Sequence, residues 1–261
     1  HRAWGAEATP LTCQTHPRFT EEFGPFAERA LSAACTAANA LLLGSREPLG
    51  LREVETGEPD EEGDAWLPYL VPFRQRLFTA LQDRSRPLRA RLAEFLTLCL
   101  LGDAVLADAE REGTAPEGLL TLEGGTLSGM LPEEGIFPAG FRLLASLEVL
   151  EPDWRDVLAR AGTAAPVPQD EALLERIAVY FAYRSVLKCV NDGNLLGRGL
   201  YTVFLTLAAE RIAAVCGLGE ALRRLSREVE HDADNVDALL TAFREDGAFD
   251  VGCFLRELRD P

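Results

Sequence analysis

The sequence predicts a mainly α fold: an irregular multi-helix domain with a Gly/Pro-rich loop region and little β. Three observations carry this. Apolar residues recur at three- and four-residue spacing over long stretches, the period of a buried helix face. Few segments alternate with period two, the mark of a half-buried strand. No proline occurs from Gln169 to Asp260, whereas Pro and Gly punctuate the chain before it.

The elements follow in order. Residues 1–25 read as irregular, broken by Pro10, Pro17 and Pro25. Residues 26–43, rich in Ala and Leu, read as a helix. Residues 44–65 read as a solvated acidic loop that carries Glu53, Glu55, Glu58, Asp60, Glu61, Glu62 and Asp64. Two amphipathic helices are expected at 67–83 and 87–111, and Pro87 suits a first turn, where its missing N–H costs nothing. Residues 113–140 form a loop insertion that includes Gly124-Gly125, with at most short strand-like pieces such as Leu119 to Leu122. Residues 141–162 return to helix, and the linker from Thr163 to Gln169 follows. The segment 169–261 is a C-terminal bundle with helices near 170–191, 198–216, 219–231, 233–245 and 250–258. Asp192-Gly193 is a helix stop, with Gly supplying a left-handed cap. Together these elements make one domain over 1–261.

Bulk properties narrow the function. A net charge of -16 argues against sequence-independent nucleic-acid binding, which needs cations at phosphate, and against docking on an anionic membrane. It suits a chain that receives a cationic substrate, or one that is merely soluble. The six cysteines are scattered without a CxxC pair, so no disulfide framework is expected and a reducing cytoplasm is the default. The longest uncharged apolar run, Gly199 to Ala209, is too short to span a bilayer. The chain starts at His1 without a methionine, which predicts a preceding segment.

Polar residues inside apolar patterns are the candidates for chemistry. Tyr180 to Gly193 is apolar on nearly every side, yet Arg184, Lys188 and Asp192 recur every four residues and share one helix face. Buried charges need partners, so these three are expected to form part of an internal ionic network. In the next helices Leu222, Leu225, Val229, Val236, Leu239 and Phe243 form a stripe that Asp232 interrupts, among Glu228, Glu230, His231, Asp234 and Asn235. Three readings stay open there: a capped helix junction, a polar substrate pocket facing the Arg184–Asp192 helix, or a metal site. Glu228 and His231 have the spacing used in di-iron bundles, but no second copy accompanies them. Cys13 and His16 lack the third group that an activated nucleophile requires. Gly124-Gly125 is not a dinucleotide-binding turn.

Four blocks together resemble the flagellin lysine-N-methylase family, a branch of the cysteine-cluster proteins. The first runs from Leu11-Thr-Cys-Gln-Thr-His-Pro-Arg-Phe19 through Glu22-Phe23-Gly24 to Glu28–Cys35, with His16 where the family has Tyr. The others are Leu81–Leu88, Tyr180–Lys188 with Asp192-Gly193, and Ser226–His231 with Asn235. Their order and spacing agree along almost the whole chain. The resemblance implies S-adenosylmethionine-dependent N-methylation of a lysine side chain in a protein or peptide. It also implies an iron–sulfur or other metal cluster, of which Cys13 and Cys35 would be the ligands in this sequence.

With methylation in view, the residues divide by role. Asp192, Glu228, His231 and Asp232 are the candidates to hold the amine and accept its proton. Tyr180, Tyr183 and Tyr201, with Arg184 and Lys188, are the candidates to hold the cationic donor, the tyrosines through cation–π contacts. The alternatives are a non-catalytic binding or scaffold member of the family, and a tailoring enzyme for a peptide or small molecule.

Overall fold

The computed structural model describes residues 16–55, 62–125 and 135–259. Among them the protein is mainly helical, with one two-stranded sheet, as the spacing predicts. Strands β1 (Arg18–Glu22) and β2 (Ala27–Leu31) pair antiparallel, with Glu22 opposite Ala27 and Arg18 opposite Leu31. The helix expected over 26–43 is therefore strand first, and helix only in α1 (Thr36–Leu43). Ala, Leu and Glu favour helix intrinsically. Here a turn overrides them: Gly24 sits at φ +83°, and the Phe23 N–H closes on Phe26 O at 2.9 Å. Pro25 within that turn removes a donor that a helix would need.

Helices α2 (Leu67–Leu81) and α3 (Leu88–Glu112) match the expected amphipathic pair, with Pro87 standing one residue ahead of α3. Among the described residues of 113–140 there are one helical turn, α4 (Gly118–Thr121), in place of the strand-like piece expected at Leu119 to Leu122, and the start of α5 (Phe137–Ser146). The helix predicted over 141–162 is two, α5 and α6 (Trp154–Thr163), separated by a connection that contains Pro152.

Next comes α7 (Glu171–Ser185), which does not continue to residue 191. A 3-10 turn (Val186–Lys188) and the short α8 (Cys189–Asp192) replace its last turns. Gly193 then ends the run at φ +66°, the left-handed cap read from the sequence. Helix α9 (Leu195–Cys216) is capped by the Asn194 side chain, which accepts from Gly197 N–H. It is followed by α10 (Leu218–Leu225), a π-helical turn (Ser226–Glu230), α11 (Ala233–Glu245), a 3-10 turn (Gly247–Phe249) and α12 (Val251–Leu258).

α9 is the axis of the protein. It packs on α3, α7 and α10 and also meets α6, α11 and α12. Its length and apolarity would suffice to cross a membrane, but 72% of its most apolar window is buried against these neighbours. One continuous core runs from Phe23 of the hairpin through Phe95, Phe181 and Phe204 to Leu258. Helix α7 lies against α9 on one side and lends its other side to the hairpin. That arrangement positions the site.

Candidate functional site

The hairpin, α7 and the π-turn meet at Tyr180. Its hydroxyl donates to Glu230 Oε2 at 2.8 Å, and it accepts from the Ala33 N–H at 3.0 Å and from Arg184 Nη1 at 2.7 Å. One proton and two lone pairs are thus all engaged. Arg184 Nη1 lies 3.1 Å from Glu230 Oε1, and the guanidinium covers the Phe19 ring at 4.0 Å. Ser226 Oγ is 3.3 Å from Ser32 Oγ. Burial, and then the Glu230 charge, pushes the Tyr180 phenol up, and the same two causes raise Tyr201. Burial by itself would lower Arg184, but the Glu230 carboxylate and Tyr180 hydroxyl outweigh it and hold the guanidinium charged.

The row of charges does not form one network. Arg184 pairs with Glu230, Lys188 with Glu21 at 2.6 Å, and Asp192 with Arg198 at 2.5 Å. The 3-10 turn breaks the shared face, because three residues per turn advance the chain faster than 3.6. A second buried pair lies nearby. Arg74 holds Glu28 of β2 through two bonds of 2.8 and 2.5 Å, between the rings of Phe78 and Tyr183. Burial, and then the Glu28 charge, raises the Tyr183 phenol to about 12.

The predicted pocket of Glu228, His231 and Asp232 does not face α7. Glu228 is buried and accepts from the N–H groups of Leu150 and Glu151 at 2.8 and 2.9 Å, fastening the α5–α6 connection. Asn235 reinforces this through Glu148 and the Glu228 carbonyl. His231 is exposed, and Asp232 caps α11 by accepting from Asp234 N–H at 2.9 Å. Of the open readings, the capped junction is the one observed. The π-turn changes the helical phase, so Glu230, rather than its neighbours, is delivered to Arg184. Glu230 stood within the acidic cluster, but uniform α-helical spacing pointed past it.

The donors for bound groups can be tested against this geometry. Cys13 lies outside the described residues. Cys35 is a free, half-exposed thiol just before α1, and among the described residues no three His, Cys, Asp or Glu side chains gather to hold a metal. Cys35 alone, among the described residues, cannot hold an iron–sulfur cluster, which takes about four thiolates. Nor do the tyrosines fit a sulfonium. Arg184 already lies 5.6 Å from the centre of the Tyr180 ring and Arg74 5.5 Å from that of Tyr183, while the Tyr201 ring packs edge-on against Phe181. A second cation at these faces would meet like charge.

Asp192 opens onto a different feature. A cleft of about 460 Å³ lies between the start of α9 and the α11–α12 connection. Leu196, Leu200, Phe243 and Phe249 supply its apolar surface, and Asp103, Asp192, Glu245, Asp246 and Asp250 its charge, with Arg244 the one cation. Asp246 and Asp250 each spend an oxygen capping a helical turn, on Ala248 and Gly252 N–H. Asp103 accepts from Leu196 N–H at 2.8 Å. Burial raises its pKa; its bonds to the start of α9 oppose that, and the Asp192 charge adds to it. The sequence signal for Asp103, a lone charge in the apolar run from Phe95 to Leu106, went unused.

Comparison with protein-family models, curated proteins and solved structures finds no match. The protein is defined by its own features: a helical body, a hairpin pinned over a buried ionic centre, and an acidic cleft beside Asp192.

Proposed function

We propose that the chain binds a lysine side chain of a protein or peptide in the acidic cleft. The observation that carries this reading is the cleft's composition: apolar side chains from α9 and α11 beside five carboxylates. A lysine matches it in both parts, with a methylene stem for the apolar wall and an ammonium for the carboxylates. The net charge of -16 favours approach of a cationic partner.

Methylation of that lysine by S-adenosylmethionine is what the resemblance adds. The donor, when bound, supplies a methyl group on a sulfonium. Support for the resemblance comes from where its blocks lie. Phe19, Ser32 and Ala33 of the first block, Tyr180 and Arg184 of the third, and Ser226 and Glu230 of the fourth converge on one centre. Asp103 and Asp192 both line the cleft, where either carboxylate would hold the amine of a bound lysine. The occupied tyrosine faces favour the second reading, a family member that binds lysine without transferring a methyl group.

Titration calorimetry with a lysine-containing peptide and with its norleucine counterpart tests the binding. We expect saturable binding of the lysine peptide alone, weakened about tenfold or more by Asp192→Asn or Asp103→Asn. Equal binding of both peptides would sink the reading. A methyl-transfer assay with S-adenosylmethionine on the same peptide then separates the catalytic from the binding member.

A further inference from the structure

Of the 26 Lys and Arg residues in the chain, Lys188 is the only lysine, and the other 25 are arginine. It sits on the 3-10 turn after α7, with Nζ 2.6 Å from Glu21 Oε2 on β1. The two side chains are 38% and 33% exposed, so the amine is within reach of solvent. Arginine would serve such an ion pair at least as well, since its fork matches a carboxylate and it keeps its charge. What lysine alone offers is a primary amine that can lose its proton and react.

The register of the hairpin shows what that amine controls. Glu21 is directly opposite Glu28 in the antiparallel pair. Residues so placed project on one face, and like charges there destabilise a sheet. Each carboxylate is neutralised by a cation from the helical body, Glu28 by Arg74 and Glu21 by Lys188. An isolated two-stranded hairpin is marginal in water, so these contacts help hold it in place.

We propose that Lys188 is a site of Nε-acylation by a thioester, and that the modification loosens the hairpin by unmasking the repulsion between Glu21 and Glu28. The ε-ammonium first loses a proton to solvent. The amine nitrogen then attacks the thioester carbonyl carbon, the C–N bond forms, the C–S bond breaks, and the leaving thiolate takes the second proton. The product is a neutral amide that can no longer balance Glu21. Loosening β1 uncovers the Arg184–Glu230 centre beneath Phe19. This inference does not depend on lysine binding in the cleft.

The single lysine makes the test clean. Intact protein is treated with acetyl-coenzyme A, the adduct is located by mass spectrometry, and hydrogen exchange is followed over residues 18–31. Lys188→Arg, treated identically, accounts for the N-terminal amine. We expect an adduct on Lys188 and exchange in the hairpin faster by about two- to fivefold, the worth of one exposed ion pair. Lys188→Gln should reproduce the effect. Reductive dimethylation, which keeps the charge, should leave exchange unchanged, and Glu21→Gln should abolish the response to acetylation. Absence of a Lys188 adduct, unchanged exchange after full acetylation, or an equal acceleration in Glu21→Gln would overturn the proposal.

Discussion

Replacing Glu230 by Gln isolates the charge at the centre of the molecule. The variant keeps an amide oxygen near the Tyr180 hydroxyl but strands the Arg184 guanidinium. Removing one partner of a buried pair costs about 3–5 kcal/mol, because the other charge stays desolvated. Two features place this pair at the lower end. The Arg184 side chain retains 17% exposure against 4% for Glu230, and Phe19 continues to shelter it at 4.0 Å. The expected loss is about 3 kcal/mol, a large share of the roughly 5–15 kcal/mol that a domain possesses. Urea unfolding followed by far-ultraviolet circular dichroism should show a lower midpoint at unchanged slope. Adding Arg184→Met to Glu230→Gln should restore part of the loss, since no stranded charge remains. A wild-type midpoint for Glu230→Gln, or a double variant no more stable than the single one, would refute the argument.

Glu220 provides a test in pH. Its hydrogen bond from Arg223, with Arg224 adding to it, outweighs burial and holds it down at about 2, against an ordinary value of 4.5. A depressed carboxylate stabilises the fold above the unfolded pKa, and that contribution fades as pH falls from about 4.5 to about 2. Glu220→Gln should therefore flatten the acid limb of the stability curve in that window. At the alkaline end Tyr183 ionises at about 12 in the folded state, against 10 unfolded, so its contribution is present below pH 10 and lost by pH 12. Absorbance titration at the phenolate band should lose the component near 12 in Tyr183→Phe. Asp232→Ala should cost about 1 kcal/mol, as a lost N-cap does, and leave binding of a lysine peptide unchanged. A binding defect in that variant at intact fold would return Asp232 to the site.

The helical architecture was legible because burial imposes a period that survives in the letters. α2, α3 and α11 carry it, α9 is instead apolar and buried all round, and Gly193 ends its helix where Asp192-Gly193 predicts. The hairpin was not legible. Ala27 to Leu31 is composed of helix formers, and its strand state comes from pairing with Arg18–Glu22 across a turn, which no local propensity encodes. The gap between α5 and α6 was marked by Pro152, a signal that the apolar spacing on either side outweighed.

The site was half legible, and the reason lies in two short departures from α-helical winding. Tyr180 and Arg184 both precede the 3-10 turn, so the four-residue rule holds for them and they share one centre. Lys188 and Asp192 follow the turn's start. Three residues at about 120° in place of about 100° advance the phase by about 60°, enough to turn each toward a different partner. The π-turn acts at the other side of the same centre. It gives Ser226 and Glu230 to Tyr180 and sends Glu228 to the amides of Leu150 and Glu151. The need of the charges after Tyr180 for ionic partners was therefore read correctly, while the pairing depended on windings that the sequence pattern does not display. Asp103 follows the same logic from the opposite direction. Its helix is regular, and its partner, the start of α9, lies 93 residues further along the chain. A lone carboxylate in an apolar run predicts a polar neighbour, and only the packed structure supplies it.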